Sequence, residues 1–72
     1  MAKVFSIELT SEAFDDLIQS AYIVMKLDTI SVGDYILFTQ TESNRNVMTR
    51  VTKTTQNDGF KSGYALVAVT LL

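Results

Sequence analysis

The sequence predicts a small α+β domain, in which one helix follows the first of about five strands of a curved, mostly antiparallel sheet or partly open β-barrel. Three observations lead to this prediction. Alternating or continuous apolar residues mark five separate segments, a segment with helical spacing lies between the first two of them, and turn or loop residues separate the others. Because 72 residues suffice for only one compact core, we expect a single domain over residues 1–72. A split sandwich is the competing architecture.

The first strand and the helix are separated by a change in the spacing of the apolar residues. Lys3 to Leu9 alternates, which predicts a half-buried strand. Thr10 or Ser11 can then cap a helix N-terminus, and acidic residues occupy the first turns, where the helix dipole favours negative charge. The helix should end near Ser20 after roughly three turns. Its apolar stripe consists of Phe14, Leu17, Ile18 and Ala21.

Four further strands complete the predicted sheet. They are Tyr22 to Leu27, Tyr35 to Gln40, Val47 to Thr55 and Tyr64 to Leu72. The turn Ser31 to Asp34, where Gly33 can supply a positive φ, separates the first of these strands from the second, and the turn Gln56 to Gly59 separates the third from the fourth. The last strand is apolar on both faces, which predicts a central strand or one that pairs with a second copy of the chain. A homodimer is therefore one expectation.

Whole classes of catalytic chemistry are excluded by composition. The chain has no His and no Cys, so Ser-His-Asp triads, thiolate nucleophiles and the usual zinc sites cannot form. None of the glycine-rich phosphate-binding motifs is present. Asp15 and Asp16 are adjacent carboxylates, but neighbouring helical residues point about 100° apart and do not converge on one substrate. We therefore expect a protein that is not an enzyme, with no metal and no cofactor.

Charge is distributed unevenly along the chain. Residues 1–42 carry seven acidic residues and two lysines, a net charge of −5, whereas residues 43–72 carry four basic residues and one acid, a net charge of +3. This asymmetry could create a basic face for nucleic acid, although a scattered, solvated surface is the simpler interpretation. The absence of cysteine and of a leader-like start predicts a cytoplasmic protein, and no apolar stretch is long enough to cross a membrane.

The candidate binding residues are one aromatic residue and three cations. Tyr22 and Lys26 lie four apart on one predicted strand and so share a face, which an adjoining strand could extend with Arg50. Together with Lys53, these side chains could hold a base and its phosphates. The alternative is an ordinary half-buried Tyr beside a Lys that reaches into solvent. The aromatic residues expected in the core are Phe5, Phe14, Phe38 and Tyr64.

Several short motifs resemble a known family. They are the helix Phe14 to Ser20, the turn Val32-Gly33-Asp34 before a strand, Arg50-Val51-Thr52, and Gly63-Tyr64 at the start of the final strand. Together they resemble the PUA-like superfamily, in particular ASCH-type domains and the small bacterial and phage proteins similar to them. The resemblance covers nearly the whole chain and implies a barrel with a function in RNA or nucleotide binding.

The chain departs from that family after the helix. ASCH-type domains have a Ser-Gly turn there, followed by a Gly-Lys-Lys-Thr-like run that lines the presumed ligand cleft. In this chain Ser20 to Leu27 is shorter and mostly apolar, and only Lys26 can stand for a cleft cation. Two functions therefore stay open: a non-catalytic module that binds RNA or another nucleic acid, and a phage-type accessory protein that binds and modulates a host protein. An ASCH-type hydrolase ranks last, because the cleft residues are missing.

Overall fold

The fold is one curled sheet of five strands with a single helix after the first strand. The structure, a computed structural model, describes residues 2–26, 30–56, 59 and 62–72. Its elements are β1 (Val4–Leu9), α1 (Ser11–Ser20), β2 (Tyr22–Lys26), β3 (Tyr35–Gln40), β4 (Asn46–Thr55) and β5 (Tyr64–Leu71). This confirms the predicted fold class and element order. Residues 57 and 58 of the predicted turn at 56–59 lie outside the described residues, and so does Phe60.

The strands are arranged in the order β1-β3-β4-β5-β2. β1 and β3 are parallel, and the other three pairs are antiparallel. The sheet curls into a half-barrel. β5 lies between β4 and β2, which confirms that the final apolar strand is central. Both of its edges are paired within the chain, so this strand does not require a second copy.

A β-bulge interrupts the pairing of β4 with β5. Val51 lies opposite Val69, but the next residue of β5, Ala68, lies opposite Lys53, so Thr52 is the extra residue. A bulge bends the strand that carries it and increases the local twist. It also shifts the alternation of side chains, so that Lys53 lies on the same face as Arg50. Strict alternation would place these two side chains on opposite faces.

The helix begins and ends at identifiable backbone groups. Thr10 is the N-cap, and its Oγ1 accepts a hydrogen bond of 3.2 Å from the backbone N–H of Ala13. Ala21 ends the helix in the left-handed conformation, with φ 60°, and donates its N–H to the carbonyl oxygen of Leu17 at 2.8 Å. Glycine is the usual residue in this position, because a Cβ atom is strained there.

The core lies between the helix and one face of the sheet, here called the inner face. Phe14 and Leu17 project from α1 and are 2% and 1% exposed. The buried apolar side chains of the inner face are Ile36, Phe38, Val51, Ala65, Val67 and Val69. Thr49 is buried among them and donates its hydroxyl to the carbonyl oxygen of Ile36 at 2.8 Å. The opposite face of the sheet, here called the outer face, carries the residues that alternate with these.

The turn before β3 is held by a carboxylate. Asp34 is 5% exposed, and its two oxygens accept hydrogen bonds from the backbone N–H groups of Lys3 at 3.1 Å and Ser31 at 2.9 Å. These two bonds lower the pKa of Asp34 below its ordinary value, and the bond from Lys3 has the larger effect. Gly33 takes a φ of +97° in this turn, as expected from the sequence. Asp34 therefore ties the start of β1 to the entry of β3.

Candidate functional site

The four residues that the sequence singled out all lie on the outer face of the sheet. Arg50 is opposite Tyr35 on β3 and Thr70 on β5, two positions that alternate with buried inner residues. Lys53 reaches this face through the bulge and lies opposite Ala68. The remaining two residues come from β2, where Tyr22 is opposite Ala68 and Lys26 is opposite Tyr64.

The strand order corrects one part of the prediction. β2 does not adjoin the strand of Arg50, because β5 lies between β2 and β4. The cations therefore form two groups on either side of β5. Arg50 and Lys53 lie on β4, and Lys26 lies with Tyr22 on β2. Two strand spacings, roughly 10 Å, separate Lys53 from Tyr22 across Ala68.

Arg50 lies against an aromatic ring at one end of the face. Its guanidinium carbon is 5.8 Å from the centre of the Tyr35 ring, within the range of a cation–π contact. Two open clefts of about 460 and about 370 Å³ adjoin this position. Arg50, Val32 and Gly33 line both clefts. The guanidinium of Arg50 thus contacts the Tyr35 ring and also borders two clefts that a ligand could enter.

Two tyrosines of this face were not predicted as binding residues. Tyr35 is half-buried beside Arg50, and Tyr64 is half-buried opposite Lys26. The expectation that Tyr64 is a core residue is wrong, because it alternates with Ala65 and Val67, which face the helix side. The alternation of side chains along β5 does not identify the outward position of Tyr64 from the sequence, because both faces of the strand are apolar and either could be the inner one.

The electrostatics of the two sides of the sheet are opposite in sign. The charged side chains on the strands of the outer face are Glu8, Lys26, Arg50 and Lys53, a net charge of +2. The helix on the inner side carries Glu12, Asp15 and Asp16. The folded chain therefore has a cationic outer face and an acidic helix, although Lys26 and Arg45 do not follow the division between the two halves of the sequence.

Arg45 differs from the cations of the outer face because it contacts a carboxylate. Arg45, in the loop between β3 and β4, contacts Asp15 of the helix at 3.1 Å and Gln40 at 3.0 Å, and its guanidinium carbon lies 4.7 Å from the centre of the Phe14 ring. Arg45 thus covers the Phe14 ring at the edge of the core. Within the described residues, no carboxylate forms an ion pair with Arg50, Lys53 or Lys26. These three charges are available to an anionic ligand.

Two other features are absent from the described part of the chain. It contains no group of three or more acidic side chains that could hold a metal ion. The same residues contain no helix with the length and apolarity needed to cross a bilayer.

The chain matches no protein-family model and no curated protein. The resemblance to PUA-like domains thus stays a prediction, and the site must be interpreted from its own chemistry.

Proposed function

We propose that this chain is a non-catalytic module that binds nucleic acid, foremost RNA, through the outer face of its sheet. The observation that carries the proposal is that Tyr22, Lys26, Arg50 and Lys53 share this face, while its three cations have no carboxylate partner in the described residues. Cations without internal partners can neutralise phosphates at little cost, because no ion pair has to be broken. Exposed aromatic rings supply stacking surfaces for bases.

The net charge of −2 does not oppose this proposal. The acidic residues of the helix lie on the inner side of the sheet, and the outer face has a net charge of +2. At physiological ionic strength, charges more than about 8 Å apart in solvent are largely screened. A polyanion on the outer face is therefore attracted by the nearby cations and is little affected by the carboxylates behind the sheet.

The proposal includes a PUA-like, ASCH-type barrel as the specific fold. Its support is local: Gly33 and Gly63 both take the positive φ that the two family motifs would require, at +97° and +84°. Ala21 supports it further, since it takes the left-handed conformation where the family has the glycine of its Ser-Gly turn. Positive φ values at these three positions are what supports this part of the proposal, although the cleft-lining run of the family is replaced in this chain.

The test compares two arginines that differ only in their environment. Binding of a fluorescein-labelled 12-nucleotide RNA of mixed sequence is measured by anisotropy for the wild type, Arg50→Gln and Arg45→Gln. We expect Arg50→Gln to weaken binding several-fold and Arg45→Gln to leave it unchanged once circular dichroism shows that each variant is folded. Equal losses in the two variants, or no binding by the wild type at low salt, would refute the proposal.

A second candidate function is an accessory protein of the phage type that binds and modulates a host protein. The observation that favours it is that Val24 and Tyr22, neighbours on the same face of β2, are 51% and 52% exposed. These exposed side chains lie beside half-buried Leu66, and an exposed apolar patch of this kind is suited to contact with a protein. A pull-down from host lysate with and without nuclease separates the two. A stoichiometric protein retained after nuclease and lost with Val24→Ser would favour the accessory role.

A further inference from the structure

A row of three residues crosses β4, β5 and β2 on the outer face, and the row is here called the trough because its central residue is small. Ala68 lies at its centre, with Lys53 opposite it on one side and Tyr22 opposite it on the other. Ala68 is half-buried and has a single side-chain carbon, whereas both neighbours are long and exposed. The bulge produces this arrangement, because it turns Lys53 toward the outer face. The short side chain of Ala68 therefore lies between a longer cation and a longer aromatic residue.

Charge limits the trough to this part of the face. Its cations lie on β4 and β2, at Arg50, Lys53 and Lys26. Toward the far ends of β1 and β3, the outer face carries Glu8 opposite Thr39, and it offers no cation there. A phosphate chain gains attraction along β4 and β2 and loses it near Glu8. A bound strand should therefore follow the trough and end near the Arg50–Tyr35 contact.

We infer that the trough binds single-stranded nucleic acid and discriminates against duplexes. The inference rests on the proposed function and names its substrate class. Tyr22 is 52% exposed at the edge of the sheet. A base can stack on such a ring only when it is not already stacked inside a duplex.

The shape of the sheet supports the same discrimination. Five strands at about 4.8 Å spacing give a face roughly 19 Å wide, whereas the major groove of B-DNA is about 12 Å wide and admits a helix or a two-stranded ribbon. The deep, narrow major groove of an RNA duplex is even less accessible to side chains. A duplex could thus touch the cations from outside, but its bases could not reach Tyr22.

The experiment compares one RNA sequence in two forms. Anisotropy titrations use a labelled 12-nucleotide RNA, alone or annealed to its complement, and intrinsic tyrosine fluorescence provides a second readout, since the chain has three Tyr and no Trp. We expect the single strand to bind at least 10-fold more tightly than the duplex and to quench tyrosine fluorescence. Tyr22→Leu should weaken the single strand at least 5-fold, and Tyr22→Phe should restore its binding.

Matched charge variants locate the trough. Ala68→Glu should weaken single-strand binding at least 10-fold, and Thr70→Glu, at an exposed position beside Arg50, tests the same trough should Ala68→Glu not fold. Ser6→Glu, on the outer face of β1, should change binding less than 2-fold. An equal loss in Ser6→Glu would overturn the trough. A duplex that binds as tightly as the single strand would overturn the inference and leave the proposed function standing. Failure of both RNAs to bind would remove both.

Discussion

The dependence of binding on salt gives the most quantitative test of the outer face. Arg50, Lys53 and Lys26, for which the described residues offer no carboxylate partner, are expected to contact three phosphates. Each contact with a single strand contributes about −0.7 to the slope of log K against log salt, so the wild type should show a slope of about −2. Raising KCl from about 50 to about 200 mM should then weaken binding roughly 20-fold, or about 1.7 kcal/mol.

Removal of one cation should reduce this slope by a fixed step. Arg50→Gln leaves two contacts, a slope of about −1.4, and a loss of only roughly 7-fold over the same salt range. Lys53→Gln should give the same step. The assay is anisotropy of the labelled 12-nucleotide RNA at four or five KCl concentrations, with protein folding checked at each end of the range.

The control for this prediction is Arg45→Gln. Arg45 contacts Asp15 and packs over Phe14 on the inner side, so its loss should leave the slope unchanged even if it lowers stability. A wild-type slope shallower than about −1 would mean that fewer than two phosphates are contacted. The same slope in Arg50→Gln, Lys53→Gln and the wild type would show that the bound anion lies elsewhere, which would refute the reasoning.

Three further predictions concern the stability of the fold. Ala21→Gly should raise the free energy of unfolding, measured with urea, by about 0.5–1 kcal/mol, because glycine removes the strain of a left-handed φ; a loss of stability would contradict this. Thr49→Val should lower it by about 1 kcal/mol, since the carbonyl of Ile36 loses a buried hydrogen bond; an unchanged urea midpoint would disprove that. The folded state lowers the pKa of Asp34, so its carboxylate stabilises the fold above the ordinary value of 3.8, and this contribution disappears as pH falls through the lowered pKa. The difference in urea midpoint between the wild type and Asp34→Asn should therefore shrink between about pH 5 and about pH 2, and a constant difference would exclude this role.

Local patterns predicted the elements of this fold well. Alternation or an apolar, β-rich composition marked all five strands, and the spacing of Phe14 and Leu17 marked the buried side of the helix. The position of β5 inside the sheet also followed from its sequence, because a strand without any charge or Pro lacks the protection that an edge strand needs. These features depend on side chains a few residues apart, which a single sequence displays directly.

The composition of the site was predictable only in part. The period of a strand places Tyr22 and Lys26 on one face, but it does not say which strand pairs with β2. Pairing depends on contacts between distant residues, and the structure places β5, not β4, beside β2. Lys53 is the sharper case, since alternation alone would turn it away from Arg50, and only the bulge at Thr52 brings it to the outer face.

The distribution of covered and uncovered surface explains why the outer face should carry the function. One helix of ten residues can cover only one side of a five-stranded sheet, and here it covers the inner face, where Phe14 and Leu17 complete the core. The helix also brings its carboxylates to that side. A polyanion that approaches from behind the sheet meets negative charge, whereas one that approaches from the front meets three cations and exposed Tyr22. The same packing that stabilises the domain therefore leaves the cationic face open to a ligand and places the acidic helix on the opposite side.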